Sequence, residues 1–437
     1  MKKKSELKNK GTVLPLVMIV VIILLTIGSS LISMSFTNRT YSFRESSSLV
    51  ARCAADAGIT QALFEMNKQL ASKSLMSDTI PLAYDVSLSN SNAIYSYVVT
   101  GSLAGGYSIT SIGKSGNSQR MIKTSLELSG LFDHAILTKD SLILKADTII
   151  DGYNSKNPTA TDFGVKIGTQ STQDDKIVLN NSVIVDGDIA VGVNGNTNDV
   201  IKDLGAKING DTYASTSKEP LPDVIIPALP NMGTSLSVKS GTLTIDPSDN
   251  GTYSSIDLQN GKNIGKLEIT GGDVVLHVTG DINLGNNCEI VIADGSTLKV
   301  YIDGNISCDN GSGINTEAPP DEASTLQLFA TGEGTQYLDV KAKSDWTGTI
   351  YAPNGDVILY AGGDVYGAIV ADSFELKNGG DFHYDAALKD VTIYDPGVRF
   401  VITKWNESIV YSDIKNLEPF NSVDIGVLQD QVSSNLK

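Results

Sequence analysis

Paired carboxylates are the side chains in this sequence whose type and spacing come nearest to a catalytic or metal-binding pattern. Asp174 lies beside Asp175, and Asp186 is two positions before Asp188. Such pairs can act as general acid and base or bind Ca²⁺, as in enzymes that cleave acidic polysaccharides. Asp is also a common turn residue, because its side chain accepts hydrogen bonds from nearby backbone N–H groups. We interpret both pairs as turn residues.

The histidines and arginines do not complete an active site. His134, His277 and His383 are far apart and share no ligand spacing, and the alternating stretch around His277 places it on a strand face. Only Arg120 and Arg399 follow the N-terminal region, so a basic group to neutralise an acidic substrate is scarce. No Ser/His/Asp, phosphate-loop or zinc pattern is present. The sequence therefore predicts a protein that is not an enzyme, with no catalytic, cofactor-binding or metal site.

The three cysteines offer one candidate crosslink. Cys288 and Cys308 are twenty residues apart, close to the length of one repeat of the pattern described below. They could stack and form a disulfide outside the cell, but sequence alone leaves the bonded and the free states open. Cys53 falls in a helical stripe, where we expect it to act as a small apolar filler.

An apolar run near the N-terminus must position everything that follows. Residues 13–32 carry no ionisable side chain. A helix of this length is long enough to cross a bilayer. The run is too long for a secretory signal, and no small-residue cleavage site follows it. The leader before it is rich in lysine, which favours a cytoplasmic N-terminus and an extracytoplasmic body. These features predict a single-pass membrane protein.

The next stretch, residues 37–70, extends the same helix. Small or apolar residues recur every three or four positions, which predicts a buried helical stripe. The predicted stripe consists of Val50, Ala54, Ala57, Gln61 and Phe64.

The basic leader ending in Gly11, the immediate apolar run "TVLPLVMIVV" and the later "AADAGI" resemble prepilins, specifically PilX-type minor pilins of type IV pili. The resemblance implies that a prepilin peptidase cuts between Gly11 and Thr12. It also implies other pilins and the pilus assembly machinery as partners, and a place in the inner or cytoplasmic membrane and at the cell surface. An ordinary anchor with a coincidental glycine is the alternative.

One position departs from most of that family. Where most pilins carry Glu at the fifth mature position, this sequence has Leu16, and PilX-like subunits often lack the Glu as well. The departure disfavours a major shaft subunit.

The composition of the body suits many short strands and an acidic surface. The net charge of −17 disfavours nucleic acid or anionic lipid as a partner, and the 41 glycines suit tight turns. Period-two alternation between residues 83 and 128 predicts an antiparallel meander. We read residues 37–130 as a small α+β unit.

A Gly-Asp or Gly-Asn pair then recurs between apolar residues. The step from Gly187 to Gly210 nearly equals the step from Gly280 to Gly304, and both match the length of one coil of a parallel β-helix. Residues 131–390 are therefore predicted to form a right-handed parallel β-helix, or solenoid. The four prolines of residues 218–230 predict a linker or an extended strap rather than a central strand.

The block at residues 346–388 resembles the C-terminal β-helical domain behind PilX-type helices. Together these features predict a mainly β protein: a leader (1–11), a long pilin-like transmembrane helix (12–36), the α+β unit, the β-helix and a tail (391–437). The predicted function is that of a minor pilin-like subunit of a type IV pilus or related secretion system, for assembly initiation or adhesion, with a surface polysaccharide or host ligand as a further partner. A membrane-tethered carbohydrate-active enzyme and a surface adhesin without a pilus role are the alternatives.

Overall fold

The computed structural model describes residues 13–72, 80–103, 105–161, 163–315, 322–377 and 380–409. These residues form two compact units. The first unit comprises 13–127 with 400–409, and the second comprises 128–399. The prediction of a mainly β protein with a long N-terminal apolar helix and parallel sheets is confirmed.

The helices are α1 (Val13–Ala71) and the short α2 (Thr197–Val200), with 3-10 turns at Pro247–Asp249, Ala323–Thr325 and Ala386–Lys389. The strands are β1 (Leu82–Ser87), β2 (Ile94–Ser102), β3 (Gly106–Ser115), β4 (Ser118–Ser129), β5 (Ile136–Thr138), β6 (Leu142–Leu144), β7 (Ile149–Tyr153), β8 (Lys166–Thr169), β9 (Ile177–Leu179), β10 (Ile184–Val185), β11 (Asp188–Val191), β12 (Ile201–Asp203), β13 (Lys207–Ile208), β14 (Thr212–Ala214), β15 (Leu236–Val238), β16 (Gly241–Ile245), β17 (Gly251–Tyr253), β18 (Ile256–Leu258), β19 (Gly265–Ile269), β20 (Asp273–Val278), β21 (Ile282–Leu284), β22 (Glu289–Ile292), β23 (Thr297–Ile302), β24 (Ile306–Cys308), β25 (Gly313–Ile314), β26 (Leu326–Ala330), β27 (Gln336–Ala342), β28 (Trp346–Ala361), β29 (Val365–Leu376), β30 (Phe382–Asp385) and β31 (Arg399–Ile409).

The first unit is one helix on one five-stranded sheet. Strands β1 to β4 pair with their neighbours as an antiparallel meander, as the alternating sequence predicts. The fifth strand, β31, lies beside β4 and comes from the stretch that the sequence analysis treats as a tail.

The second unit consists of short strands stacked in parallel register. Asp273 on β20 pairs with Thr297 on β23, and Gly241 on β16 pairs with Gly265 on β19, in each case one repeat later in the chain. On β20 the buried Val274, Leu276 and Val278 alternate with outward side chains, so one face of each strand fills the core.

The recurring Gly-Asp pairs sit where the chain enters the next strand. A Cβ atom on Gly304 would lie 2.4 Å from the backbone carbon and oxygen of Gly280, so only glycine allows the two turns to stack. The neighbouring Asp281 Oδ1 accepts a hydrogen bond from the backbone N–H of Asn305 at 2.8 Å. Asp188 Oδ1 accepts in the same way from Asp211 N at 2.9 Å. The acidic residue therefore joins each turn to the next one.

The order of strands in space differs from their order in the chain. We call residues 131–215 the leading segment and residues 231–385 the trailing segment. The last strands of the trailing segment lie beside the first strands of the leading segment: Ile369 pairs with Ile136, and Phe382 pairs with Ile150. From there the leading segment continues the same stack through β8, β11 and β14.

The strap, residues 216–230, connects the outer end of the leading segment to the start of the trailing segment. It contains neither helix nor strand, in agreement with its four prolines. Its side chains Leu221, Val224 and Ile226 pack against the core, and the Tyr351 hydroxyl donates to the carbonyl oxygen of Pro222 at 2.7 Å. Tyr351 is fully buried.

Candidate functional site: the N-terminal helix

The first half of α1 presents large apolar side chains to the outside. Leu16, Leu25 and Phe36 are each about two-thirds exposed, and no charged residue occurs before Arg39 in the described helix. Among the described residues this is the one helix long and apolar enough to cross a membrane. The hydroxyl of Thr26 donates to Ile23 O at 2.8 Å, so this polar group is satisfied within the helix.

The second half of α1 packs on the sheet through a stripe of small residues. The buried positions are Ala51, Ala54, Ala55, Ile59, Ala62, Met66 and Leu70. The predicted stripe is correct in part: Ala54 is buried and Val50, Ala57 and Gln61 are half-buried, but Phe64 is 60% exposed. Cys53 is exposed rather than a buried filler. Alanines face the sheet because they bring the two backbones close together, which a bulky Phe would prevent.

Two glycines mark the closest approach between α1 and β3. A Cβ on Gly113 would lie 1.9 Å from Ala51 O and 2.4 Å from Ala55 N, both backbone atoms that cannot rotate away. A Cβ on Gly58 would meet the Ser111 hydroxyl at 2.2 Å. The small residues of "AADAGI" therefore form the helix side of a tight helix–sheet contact.

Strand β31 is joined to α1 by side-chain hydrogen bonds. The Asn67 amide donates to Phe400 O at 3.2 Å, and its oxygen accepts from Phe400 N at 2.7 Å. Glu407 lies 3.2 Å from Arg52 and 3.6 Å from Arg120, while Arg120 also donates to Ser48 on the helix. These contacts could not be predicted from the sequence, because the strand and the helix are hundreds of positions apart.

One carboxyl in this contact has a shifted pKa. Burial raises the pKa of Asp56 above its ordinary value, and the nearby Arg52 only partly opposes the shift. Asp56 Oδ1 is buried without a hydrogen-bond partner among the described residues. The motif thus carries a carboxyl whose charged form is disfavoured next to the sheet.

The predicted processing site and the position of the missing Glu lie at the start of α1. Gly11 and Thr12 lie outside the described residues. Leu16 lies on the exposed apolar part of α1.

The candidate cysteine pair is not aligned by the register. Cys308 on β24 pairs with Leu284, four positions before Cys288, while the backbone carbonyl of Cys288 accepts from Gly313 N. Both are buried free thiols, and burial raises the pKa of Cys308 to about 11. The thiols therefore occupy different places in their turns, because their spacing along the chain is shorter than the step between stacked turns.

The acidic pairs take part in turns and ion pairs. Asp175 binds Lys202 at 2.6 Å, and Asp186 Oδ1 accepts from the Asn209 amide at 2.8 Å. Together with the backbone contact of Asp188, these contacts agree with the interpretation as turn residues.

The three histidines lie in three different surroundings. Burial, with Lys166 and Lys389 adding to it, lowers the pKa of His134 to about 4. His277 faces outward on β20, as its alternating sequence predicts, and lies 3.0 Å from Asp303. His383 on β30 binds Asp151, 232 positions away in the sequence. That pair had no local sequence signal.

Comparisons with known proteins give a family for part of the chain. Residues 205–391 match the model of a domain of unknown function (DUF7305), which is less than half of the chain. No curated protein matches. Among solved structures, the competence-associated pilin ComZ from Thermus thermophilus is 15% identical, with 83% of this chain and 98% of that chain covered. Its TM-score is 0.22, so the superposition carries no argument about this chain.

Proposed function

We propose that this protein is a minor pilin-like subunit of a type IV pilus or a related secretion system. The division of α1 supports the proposal: an exposed apolar half is followed, without a break, by a half that packs on an antiparallel sheet. This is the architecture that the sequence resemblance implies. The exposed half would lie first in the membrane and later in the core of a filament.

The second unit is proposed to be a right-handed parallel β-helix outside the cell. Parallel pairing at repeat-length steps, an inward apolar face and stacked Gly-Asp turns support this interpretation. The right hand follows from the strong preference of crossovers between parallel strands. We assign the unit a role in assembly or binding, not catalysis, with a surface polysaccharide or host ligand as its partner.

Processing of the N-terminus tests the proposal. The full chain is expressed in cells with and without a prepilin peptidase, and its N-terminus is read by intact mass. We expect a mature protein that begins at Thr12 only when the peptidase is present. Gly11→Ala should block the cut, whereas Gly28→Ala, at a helical glycine with open space around it, should not. An uncut chain in the presence of an active peptidase would contradict the proposal.

The absence of Glu at Leu16 leads us to propose a place at or near the pilus tip. A buried carboxylate is tolerable in an apolar core only when it is compensated, and a Leu needs no compensating neighbour. Immunogold labelling of sheared filaments, with subunit quantification by mass spectrometry, should find few copies near filament ends. Dense labelling along the shaft would contradict this placement.

A further inference from the structure

Three side chains from the last turns of the trailing segment converge on one point of the second unit. Asp364 and Asp381 follow Gly363 and Gly380 at two successive turns, and His383 lies two positions further, on β30. One ligand atom from each of the three side chains lies within 4.8 Å of the other two, and all three residues are partly buried.

Hydrogen bonds hold one atom of each of these side chains and leave another atom for a ligand. Asp364 Oδ1 accepts from Asp381 N at 3.0 Å, and Asp381 Oδ1 accepts from Ile149 N at 2.9 Å. His383 Nδ1 is bonded to Asp151 Oδ1 at 2.5 Å. Metal-binding residues are commonly oriented in this way, with the second atom of each group fixed by an outer hydrogen bond.

The second imidazole nitrogen faces a carboxylate oxygen of Asp364 without a hydrogen bond between them. His383 Nε2 lies 3.8 Å from Asp364 Oδ2, which is too long for a hydrogen bond. The ring of Tyr366 stacks on the imidazole at 4.7 Å between centroids, and this contact fixes the plane of the ring. The imidazole is therefore held at an orientation from which Nε2 can share a ligand with the two carboxylates.

The charge at this point favours a cation. The carboxylates of Asp151, Asp364 and Asp381 surround the single imidazole of His383. The carboxylates outnumber the single histidine, so a divalent ion would relieve their mutual repulsion.

We propose that Asp364, Asp381 and His383 bind a divalent transition-metal ion such as Zn²⁺. An imidazole nitrogen with two carboxylates suits Zn²⁺, whereas Ca²⁺ and Mg²⁺ prefer oxygen ligands only. Three protein ligands leave a coordination position for water. The ion joins two successive turns of the stack beside Ile149 of the leading segment, and Asp151 is a positioning residue that orients the imidazole.

Asp345, Asp364 and Asp381 stand at successive turns and form a ladder of acidic residues, of which Asp345 offers a matched control. Asp345 stands one turn earlier and accepts from Asp364 N at 2.9 Å, but it is not one of the three converging ligands. His277 with Asp303 gives a second control, since among the described residues that imidazole belongs to no group of three converging ligands. Ladder geometry alone therefore does not create the proposed site.

Calorimetric titration of the chelator-treated full chain in detergent micelles with Zn²⁺ tests the proposal. We expect a saturable site that His383→Ala and Asp381→Asn each weaken by at least about tenfold, while Asp345→Asn and His277→Ala leave it unchanged. Thermal unfolding without metal checks that each variant folds. Co²⁺ absorption bands that disappear in His383→Ala give a second readout.

The role of Asp151 has its own signature. Asp151→Asn should weaken Zn²⁺ binding about 10- to 100-fold and should change the Co²⁺ absorption bands, because the imidazole loses the carboxylate that orients it. The proposal would be overturned if folded His383→Ala bound Zn²⁺ as tightly as the parent chain. It would also be overturned if Asp345→Asn weakened Zn²⁺ binding as much as His383→Ala does. The lack of any saturable Zn²⁺ site would overturn it as well, and none of these results bears on pilin processing.

Discussion

The backbone N–H of Ile149 donates to Asp381 Oδ1 at 2.9 Å, although 232 positions separate the two residues. The contact lies where the trailing segment ends and the leading segment begins. The stack is thus continuous in space from residue 231 to 385 and then from 131 to 215. The strap joins residue 215 to residue 231, so it must run back along the whole length of the stack. This relationship makes the length of the strap a structural requirement.

Shortening the strap should open one end of the stack. Ten strand spacings of about 4.8 Å separate its ends, or about 48 Å, and its sixteen residue steps reach at most about 58 Å. Deletion of residues 224–227 would reduce that reach to about 43 Å. We expect faster amide hydrogen exchange, measured by mass spectrometry, at β14 or around Met232.

A four-residue Gly-Ser insertion after Pro227 is the matched control for that deletion. A longer connection costs little, because loop closure entropy grows slowly with length. The insertion should leave exchange at both ends nearly unchanged. Full protection at both ends in the deletion variant would show that the strap is not near its limit.

Stacked glycines should be intolerant of even a methyl group. Gly304→Ala places a Cβ 2.4 Å from the backbone of Gly280, so the two stacked turns must move apart. We expect a loss of about 1–3 kcal/mol in the stability of this region, read from amide exchange of β21 and β24. Gly334→Ala, which has open space around its Cβ, should cost much less. Equal effects of the two variants would contradict the stacking argument.

The stability of the second unit should fall in mild acid because of His134. Its pKa is about 4 when folded and about 6.5 when unfolded, so the unfolded state binds a proton first as the pH falls. The contribution of His134 is therefore complete above pH 6.5 and declines towards pH 4, with a total loss of about 3 kcal/mol. In His134→Gln, the melting temperature should depend less on pH between those two values than it does in the parent chain. An unchanged slope would assign the decline to other groups.

Features with a regular spacing could be predicted from the sequence. The run from Val13 and the alternation in residues 83–128 correspond to α1 and the meander, because side-chain direction repeats every 3.6 or two residues. The Gly-Asp rhythm predicts parallel strands at the right step, because each turn needs the same local chemistry as the next one.

Features that depend on long-range placement could not be predicted. No local pattern tells that β31 joins β4 or that β29 lies beside β5, since the pairing partners are chosen by packing. The predicted stripe on α1 is wrong at Phe64, because Phe counts as apolar in the pattern, whereas close approach to the sheet selects alanine. The group around His383 forms only because segments far apart in the chain meet there.

The contact between α1 and β3 gives the last prediction, at the site on which the proposed function rests. Gly113→Ala puts a methyl group 1.9 Å from Ala51 O and 2.4 Å from Ala55 N. Because helix and strand backbones cannot rotate away, the sheet must move off the helix, which should cost about 1–3 kcal/mol. Gly105→Ala, whose Cβ would meet only the Ser102 hydroxyl at 3.4 Å, is the control. We expect faster protease cleavage in the first unit and less protein in sheared filaments for Gly113→Ala alone. Normal filament content in a variant with a loosened first unit would show that packing of α1 on the sheet is not needed for assembly.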